Sequence, residues 1–285
     1  MIPRKKTSLT GMRRYPVIPI LILMLILILP SFFAHWLAPY DPYESHLRDR
    51  LKPPLFFGGT SEYILGTDRL GRDILSRIMH GSKYALAIAG AGILCGGLIG
   101  SFLGLCAGYM RGWVDVIVMR LVDISFALPS ILLALALATV WPPSFGLVIF
   151  VVTFILWSYF ARQVRAEVLS LRERDFIARA RVAGASHLRI LIVHILPNVT
   201  NTIVVLATLQ IGVVILLESI LSFLGIGIPR PNPAWGLLVA DGRALVVDAW
   251  WISFFPGIAI LLTVMAVNLL GDWVRDHLDP KIQDI

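Results

Sequence analysis

Charge is scarce in this chain. Of its 285 residues only 15% are Asp, Glu, Lys or Arg, against roughly 25% in an ordinary soluble domain. Beside 57% hydrophobic residues, so little charge excludes a free-standing water-soluble globule. Cysteine is nearly absent. Cys95 and Cys106 lie in one apolar stretch without ligand-type neighbours, which argues against a disulfide framework or a thiolate metal site and leaves two small packing residues. Catalytic signatures are missing too. There is no G-x-x-x-x-G-K-[ST] loop to cradle a nucleotide, no H-E-x-x-H and no G-x-S-x-G. His187 and His194 have no carboxylate or thiolate company and do not make a metal site. The reading is therefore non-catalytic, with no cofactor and no metal.

What the chain has is long apolar runs. Val17 to about Leu37, Ala85–Tyr109, Val116–Val140, Gly146–Tyr159, Thr202–Leu224 and Ile252–Leu270 approach or exceed the ~20 residues that span a bilayer as a helix. The sequence thus predicts an all-α integral membrane protein with six transmembrane helices. The first run follows a tail holding Arg4, Lys5, Lys6, Arg13 and Arg14. A signal peptide is the rival reading, but bulky Phe32, Phe33, His35 and Trp36 stand where small residues would mark cleavage, so an uncleaved anchor is expected. Trp36, Tyr40, Trp113, Trp141, Trp235, Trp250 and Trp251 gather near the predicted interfaces, as an aromatic belt does.

The densest charge lies between two of these runs, from Arg162 to Asn198. Arg162, Arg165, Arg172, Arg174, Arg179, Arg181 and Arg189 stand against only Glu167, Glu173 and Asp175. A segment of this kind does not sit in hydrocarbon, and its positive excess assigns it to the cytoplasmic side. The basic tail votes the same way, so both termini are expected in the cytoplasm. The net charge of +7 reads as this imbalance plus contact with anionic headgroups, not as a nucleic-acid surface. Alternating Ala and Arg from Asp175 read as a short helix that Gly184 can stop, and an apolar run then leads to Pro197. The pattern suits a docking element for a cytoplasmic partner.

This island resembles the EAA loop of ABC-importer permeases, whose skeleton is E-A-A-x3-G-x9-I-x-L-P. Gly184, Leu196 and Pro197 fall at the family spacing and Ala180 takes the second alanine, while Ala178, Arg179 and His194 replace the Glu, the first Ala and the Ile. The HILPN ending, His194 to Asn198, is most similar to the peptide/nickel group, as are LGTDRLGRDILSR (Leu65 to Arg77), LSFLG (Leu221 to Gly225), PAWG (Pro233 to Gly236) and the NLLGDWVRDHLDP tail (Asn268 to Pro280). These stretches lie in separate regions, in family order.

The resemblance implies a type I importer permease in a bacterial inner membrane. It implies a second, unlike permease subunit, two ATPase subunits and an extracytoplasmic binding protein that delivers a peptide, nickel or another small solute. Asp175, Ala178, Arg179, Ala180, Arg181, Gly184, Ala185, Leu196 and Pro197 would then form the ATPase-coupling loop. A stand-alone secondary transporter is the alternative from bare physics, but the spans are poor in central charge.

Three further features carry expectations. Gly92, Gly96, Gly100, Gly104 and Gly108 make a stripe with a period of four, suited to close helix packing within this subunit. Arg120 and Asp123 sit at i, i+3 and can neutralise one another on one face. Gln210 and Glu218 are polar groups inside a span, suited either to edging a polar pathway or to an inter-helix hydrogen bond. The expected organisation is a basic tail at 1–16, a first span at 17–38, an extracytoplasmic loop with an interfacial amphipathic segment at 39–83, a five-helix core at 84–275 holding the loop 162–198, and a tail at 276–285.

Overall fold

A computed structural model describes residues 16–278; the basic N-terminal residues and the end of the C-terminal tail, Pro280 included, lie outside the described residues. Among the described residues the chain is helical, and strand pairing is limited to one antiparallel bridge between Thr67 and Asp73. The helices are α1 (Val17–Leu37), α2 (Ile74–Met110), α3 (Gly112–Ala127), α4 (Ser130–Ala138), α5 (Phe145–Arg172), α6 (Asp175–Val182), α7 (His187–Phe223), α8 (Trp235–Gly242) and α9 (Trp251–Leu278). Of these α1, α2, α5, α7 and α9 are each long and apolar enough to cross a bilayer, and α3 with α4 makes a sixth crossing if the bent pair is one span.

The boundaries differ from the sequence-based ones, and each difference has a local cause. The second helix begins at Ile74, not near Ala85, because the Asp73 carboxylate caps it: Oδ2 accepts from Ser76 N at 2.8 Å and from Ser76 Oγ at 2.6 Å. The stretch expected as an interfacial amphipathic segment is thus a folded turn followed by the first turns of α2. The fourth span runs on to Arg172, because Arg162 and Arg165 find acids on α3. The fifth starts at His187, where the Ser186 hydroxyl caps Arg189 N at 3.3 Å.

Proline decides where helices bend and where they survive. Pro129 forces Leu128 into an extended conformation (φ −84°, ψ 117°), so α3 and α4 meet at 81°. Pro30 and Pro197 are carried inside longer helices. Each follows a π-helical turn, Met24–Ile28 and Ile190–Ile195, that widens the ladder where the proline ring removes a donor and crowds the preceding carbonyl.

Packing centres on α2 and α5, which run parallel. A Cβ on Gly92 would meet Val152, on Gly96 Leu156, on Gly100 Trp157 and Phe160, on Gly104 Ala161 and Val164, and on Gly108 Val168. The stripe is a seam that lets two backbones approach where hydrophobicity gives helices no reason to associate. Antiparallel to this, α7 packs on α9 through Gly212 against Asn268 and Gly271 against Leu209. The local Arg120–Asp123 pair is replaced by a tertiary one: Asp123 Oδ1 accepts from Arg162 at 3.0 Å, and the same guanidinium lies 4.3 Å from the centroid of Phe126.

The seam makes a prediction. A Cβ on Gly104 would lie 2.6 Å from Ala161 O and 3.0 Å from Val164 Cβ, whereas one on Gly90 meets nothing within 4 Å. Gly104→Val should cost about 1–3 kcal/mol by overpacking, read as a lower midpoint of thermal unfolding in detergent. Gly90→Ala should be neutral or raise the midpoint.

Candidate functional site

At the end of the bundle where α2, α5 and α9 finish, α6 packs against α5 and the start of α7. Ile177 anchors it, fully buried in a cluster with Val164, Val168, Leu171, Ile190 and Ile195. Asp175 occupies the first turn, where a carboxylate suits the positive end of the helix dipole. Gly184 ends the helix at φ +81°, with Gly184 N donating to Arg181 O and Ala185 N to Ala180 O, both at 3.0 Å. These two bonds make a Schellman cap, which closes the last carbonyls and turns the chain sharply toward α7. Ala180 and Ala185 pack on the buried cluster, while Ala178, Arg179, Arg181 and Val182 face outward, Val182 at 90% exposure.

Side chains from neighbouring helices fix this platform. Arg111 pairs with Glu173 at 2.5 Å, and Arg165 grips Asp115 through Nε and NH2. Arg172 donates to Tyr109 O at 2.6 Å, and Tyr109 Oη lies 2.8 Å from His187 Nδ1. These contacts brace the segments on either side of the short helix and leave it a basic and apolar outer face.

Leu196 and Pro197 are separated from that face. Both lie within α7, and they point to two different cavities. Leu196 lines an apolar one of about 360 Å³ with Leu98, Phe102 and Phe160. Pro197 lines a polar cleft of about 660 Å³ between α5, α7 and α9, together with Gln163, Glu167, Ser170, Arg174, Asn198, Asn201, Thr202, Leu206, Leu209 and Arg275. Gln210 and Glu218 line neither of these cavities. Glu218 is 1% exposed, and its hydrogen bonds run within its own helix, not between helices: Ser222 Oγ donates at 2.6 Å and Ser219 Oγ at 3.5 Å. Its surroundings are closed by α8, whose Gly236 rests on the backbone of Ser219.

The opposite end holds an ionic clamp that sequence reasoning missed. Asp68, 3% exposed, accepts from Arg72 Nε at 2.7 Å and from Arg77 NH1 at 2.5 Å. Arg77 also lies 3.8 Å from Asp241 on α8, which Arg230 holds from the other side. Beside it, burial pushes the Asp73 carboxyl above its ordinary range, against hydrogen bonds from Ser76 that pull the other way. The available signal was an arginine standing just inside an apolar helix behind a Gly- and Asp-rich turn.

Five apolar crossings, six if the bent pair α3–α4 is one span, and an elaborated short helix at the bundle end suit a membrane permease component. Residues 98–284 match the binding-protein-dependent transport system inner membrane component family, and residues 20–54 match the N-terminal TM domain of oligopeptide transport permease C. The chain belongs to the binding-protein-dependent transport system inner membrane component family, and is a multi-pass permease subunit of an ABC importer. It is 40% identical to the Di/tripeptide transport system permease protein DppC of Pseudomonas aeruginosa, over 93% of this chain and 88% of that one. It is 42% identical to the Dipeptide transport system permease protein DppC of Escherichia coli K12, over 92% and 88%. With the Glutathione transport system permease protein GsiD of Pectobacterium atrosepticum the identity is 43%, over 91% and 85%. A chain of the MetNI methionine ABC transporter shares the fold, with TM-score 0.58 and 17% identity over 72% of this chain and 98% of that one.

Removing one partner from the buried clamp leaves an uncompensated charge. Arg77→Met should therefore cost about 3–5 kcal/mol, seen as a large fall in the thermal midpoint and in recovered monodisperse protein. Replacing exposed Arg243 by Met should change neither measure by more than about 0.5 kcal/mol.

Proposed function

We propose that this subunit and a second, unlike permease enclose a path for short peptides, which an extracytoplasmic binding protein delivers and two cytoplasmic ATPase subunits drive. The observation that carries the reading is α6. It is a short helix at the bundle end with an exposed basic and apolar face and a buried anchor, and a helix of that form suits a groove on a partner protein. The positive excess from Arg162 to Arg189 supports a cytoplasmic position for it. The peptide class is drawn from the named relatives.

In this reading ATP binding draws the ATPases together, and α6 passes their displacement on. Ile177 ties α6 to α5 and α7, and the pairs Arg111–Glu173 and Arg165–Asp115 tie those helices to α2 and α3. A push on α6 is thus delivered to the spans as rigid-body motion, not absorbed in a flexible loop. Gln210 and Glu218 are assigned to packing in this scheme, because the helices bury them within the subunit.

Gly184 tests the coupling role without touching the core. Its Cβ position is empty, so a side chain there meets no clash and only the left-handed backbone is penalised, by roughly 1–2 kcal/mol. In proteoliposomes holding the whole importer, Gly184→Leu should lower peptide uptake on the order of tenfold while the variant still inserts and ATP is still hydrolysed. Normal uptake by Gly184→Leu would refute the docking role of α6. Co-purification in mild detergent with the native neighbours should bring down a second permease and Walker-motif ATPases. A chain that purifies only with itself would refute the importer assembly.

A further inference from the structure

We propose that the polar cleft between α5, α7 and α9 is a binding site for the zwitterionic main chain of a short peptide, with Glu167 facing its ammonium and Arg174 and Arg275 its carboxylate. The inference rests on the peptide-permease reading and assigns that substrate a place on this chain. Three observations carry it.

The first is how α5 divides its polar residues. Arg162, Arg165 and Arg172 point toward α2 and α3, where they are engaged by Asp123, Asp115 and the Tyr109 carbonyl. Gln163, Glu167 and Ser170 follow a different helical line, i, i+4, i+7, and open into the cleft, where Arg174, the extended residue that leads into α6, joins them. Among the described residues Glu167, Arg174 and Arg275 take part in none of the ion pairs that tie this end of the bundle together. An acid and two arginines stand around one cavity with their charges unspent.

The second is the facing wall. Asn198 and Asn201 on α7 lie one turn apart on the same line, each bringing an amide that can both donate and accept. Asn198 is oriented by a 2.7 Å bond to His194 O. Amide side chains between opposite charges match a peptide unit between its two termini, and arginine is the residue suited to a carboxylate.

The third is the cleft's size and grading. At about 660 Å³ it falls in the range that holds small ligands. Along α7 its lining passes from the asparagines to Val205, Leu206 and Leu209, so a polar part suited to a main chain adjoins an apolar part that does not select among side chains.

The test is direct binding of Ala-Ala, N-acetyl-Ala-Ala and Ala-Ala-amide to the complete importer in lipid nanodiscs, without nucleotide or binding protein. Wild type should bind Ala-Ala at least tenfold more tightly than either blocked form. Glu167→Gln should abolish the preference over the acetylated form alone, and the double variant Arg174→Gln/Arg275→Gln the preference over the amide alone. Co-purification of the partner subunits checks that each variant is assembled. Equal binding of blocked and free peptide, or an unchanged preference in the variants, would overturn the inference. If the wild-type importer in proteoliposomes, supplied with ATP and its binding protein, takes up Ala-Ala, the peptide-permease reading stands despite that result. If it takes up no di- or tripeptide at all, that reading fails first.

Discussion

Where Gly92, Gly96, Gly100, Gly104 and Gly108 meet α5, the two backbones lie closer than any side chain permits. Everything else is mounted on that seam. Lipid tails are as apolar as leucine, so association of helices within the bilayer depends on close fit. The seam runs along the second half of α2 and holds it parallel to α5. One consequence is that both helices finish at the same end, where Tyr109 and Arg172 meet. The other is that Arg77 and Ile78, near the start of α2, come beside α8 at the opposite end.

The ends then take up the polar work that the hydrocarbon forbids. At one, arginines of α5 are spent on acids and carbonyls of α2 and α3, and a short helix packs against α5 and the start of α7. At the other, Asp68, Arg72, Arg77, Asp241 and Arg230 link the first long loop, α2 and the α7–α9 connection in one partly buried network. Buried charge of this kind is tolerated only because each member has a partner, and removing one costs far more than the pair contributes. Under the proposed coupling role, rigid ends joined by a tightly packed middle would pass a displacement on without melting.

Much of this was legible in advance. The apolar runs marked the five long spans and the bent pair that makes a sixth crossing only if it counts as one span, the Ala/Arg alternation with Gly184 marked α6 and its stop, and the period-four glycines marked a packing face. The helix boundaries were not legible, because hydropathy registers the bilayer and not the helix. Thus α5 and α7 extend as ordered helices well past their apolar parts, where caps and ion pairs carry them. Arg120 and Asp123 looked like partners by spacing, yet Asp123 turns to Arg162, whose guanidinium also stacks on Phe126. The π turns before Pro30 and Pro197 left no composition signal either. A proline in an apolar run reads as a break unless the preceding turn is seen to widen.

By itself the sequence determined the class: charge too sparse for water, runs long enough for a membrane, and one basic island that must stay outside it. Those follow from transfer energies and local geometry, which each segment carries alone. Only the tertiary structure decided which polar groups are spent and which remain open. Glu218 closes on serines of its own helix and the arginines of α5 close on α2 and α3, while Glu167, Arg174 and Arg275 are left around a cleft. Whether a charge is satisfied depends on what lies across from it, and that neighbour comes from a helix distant in the chain.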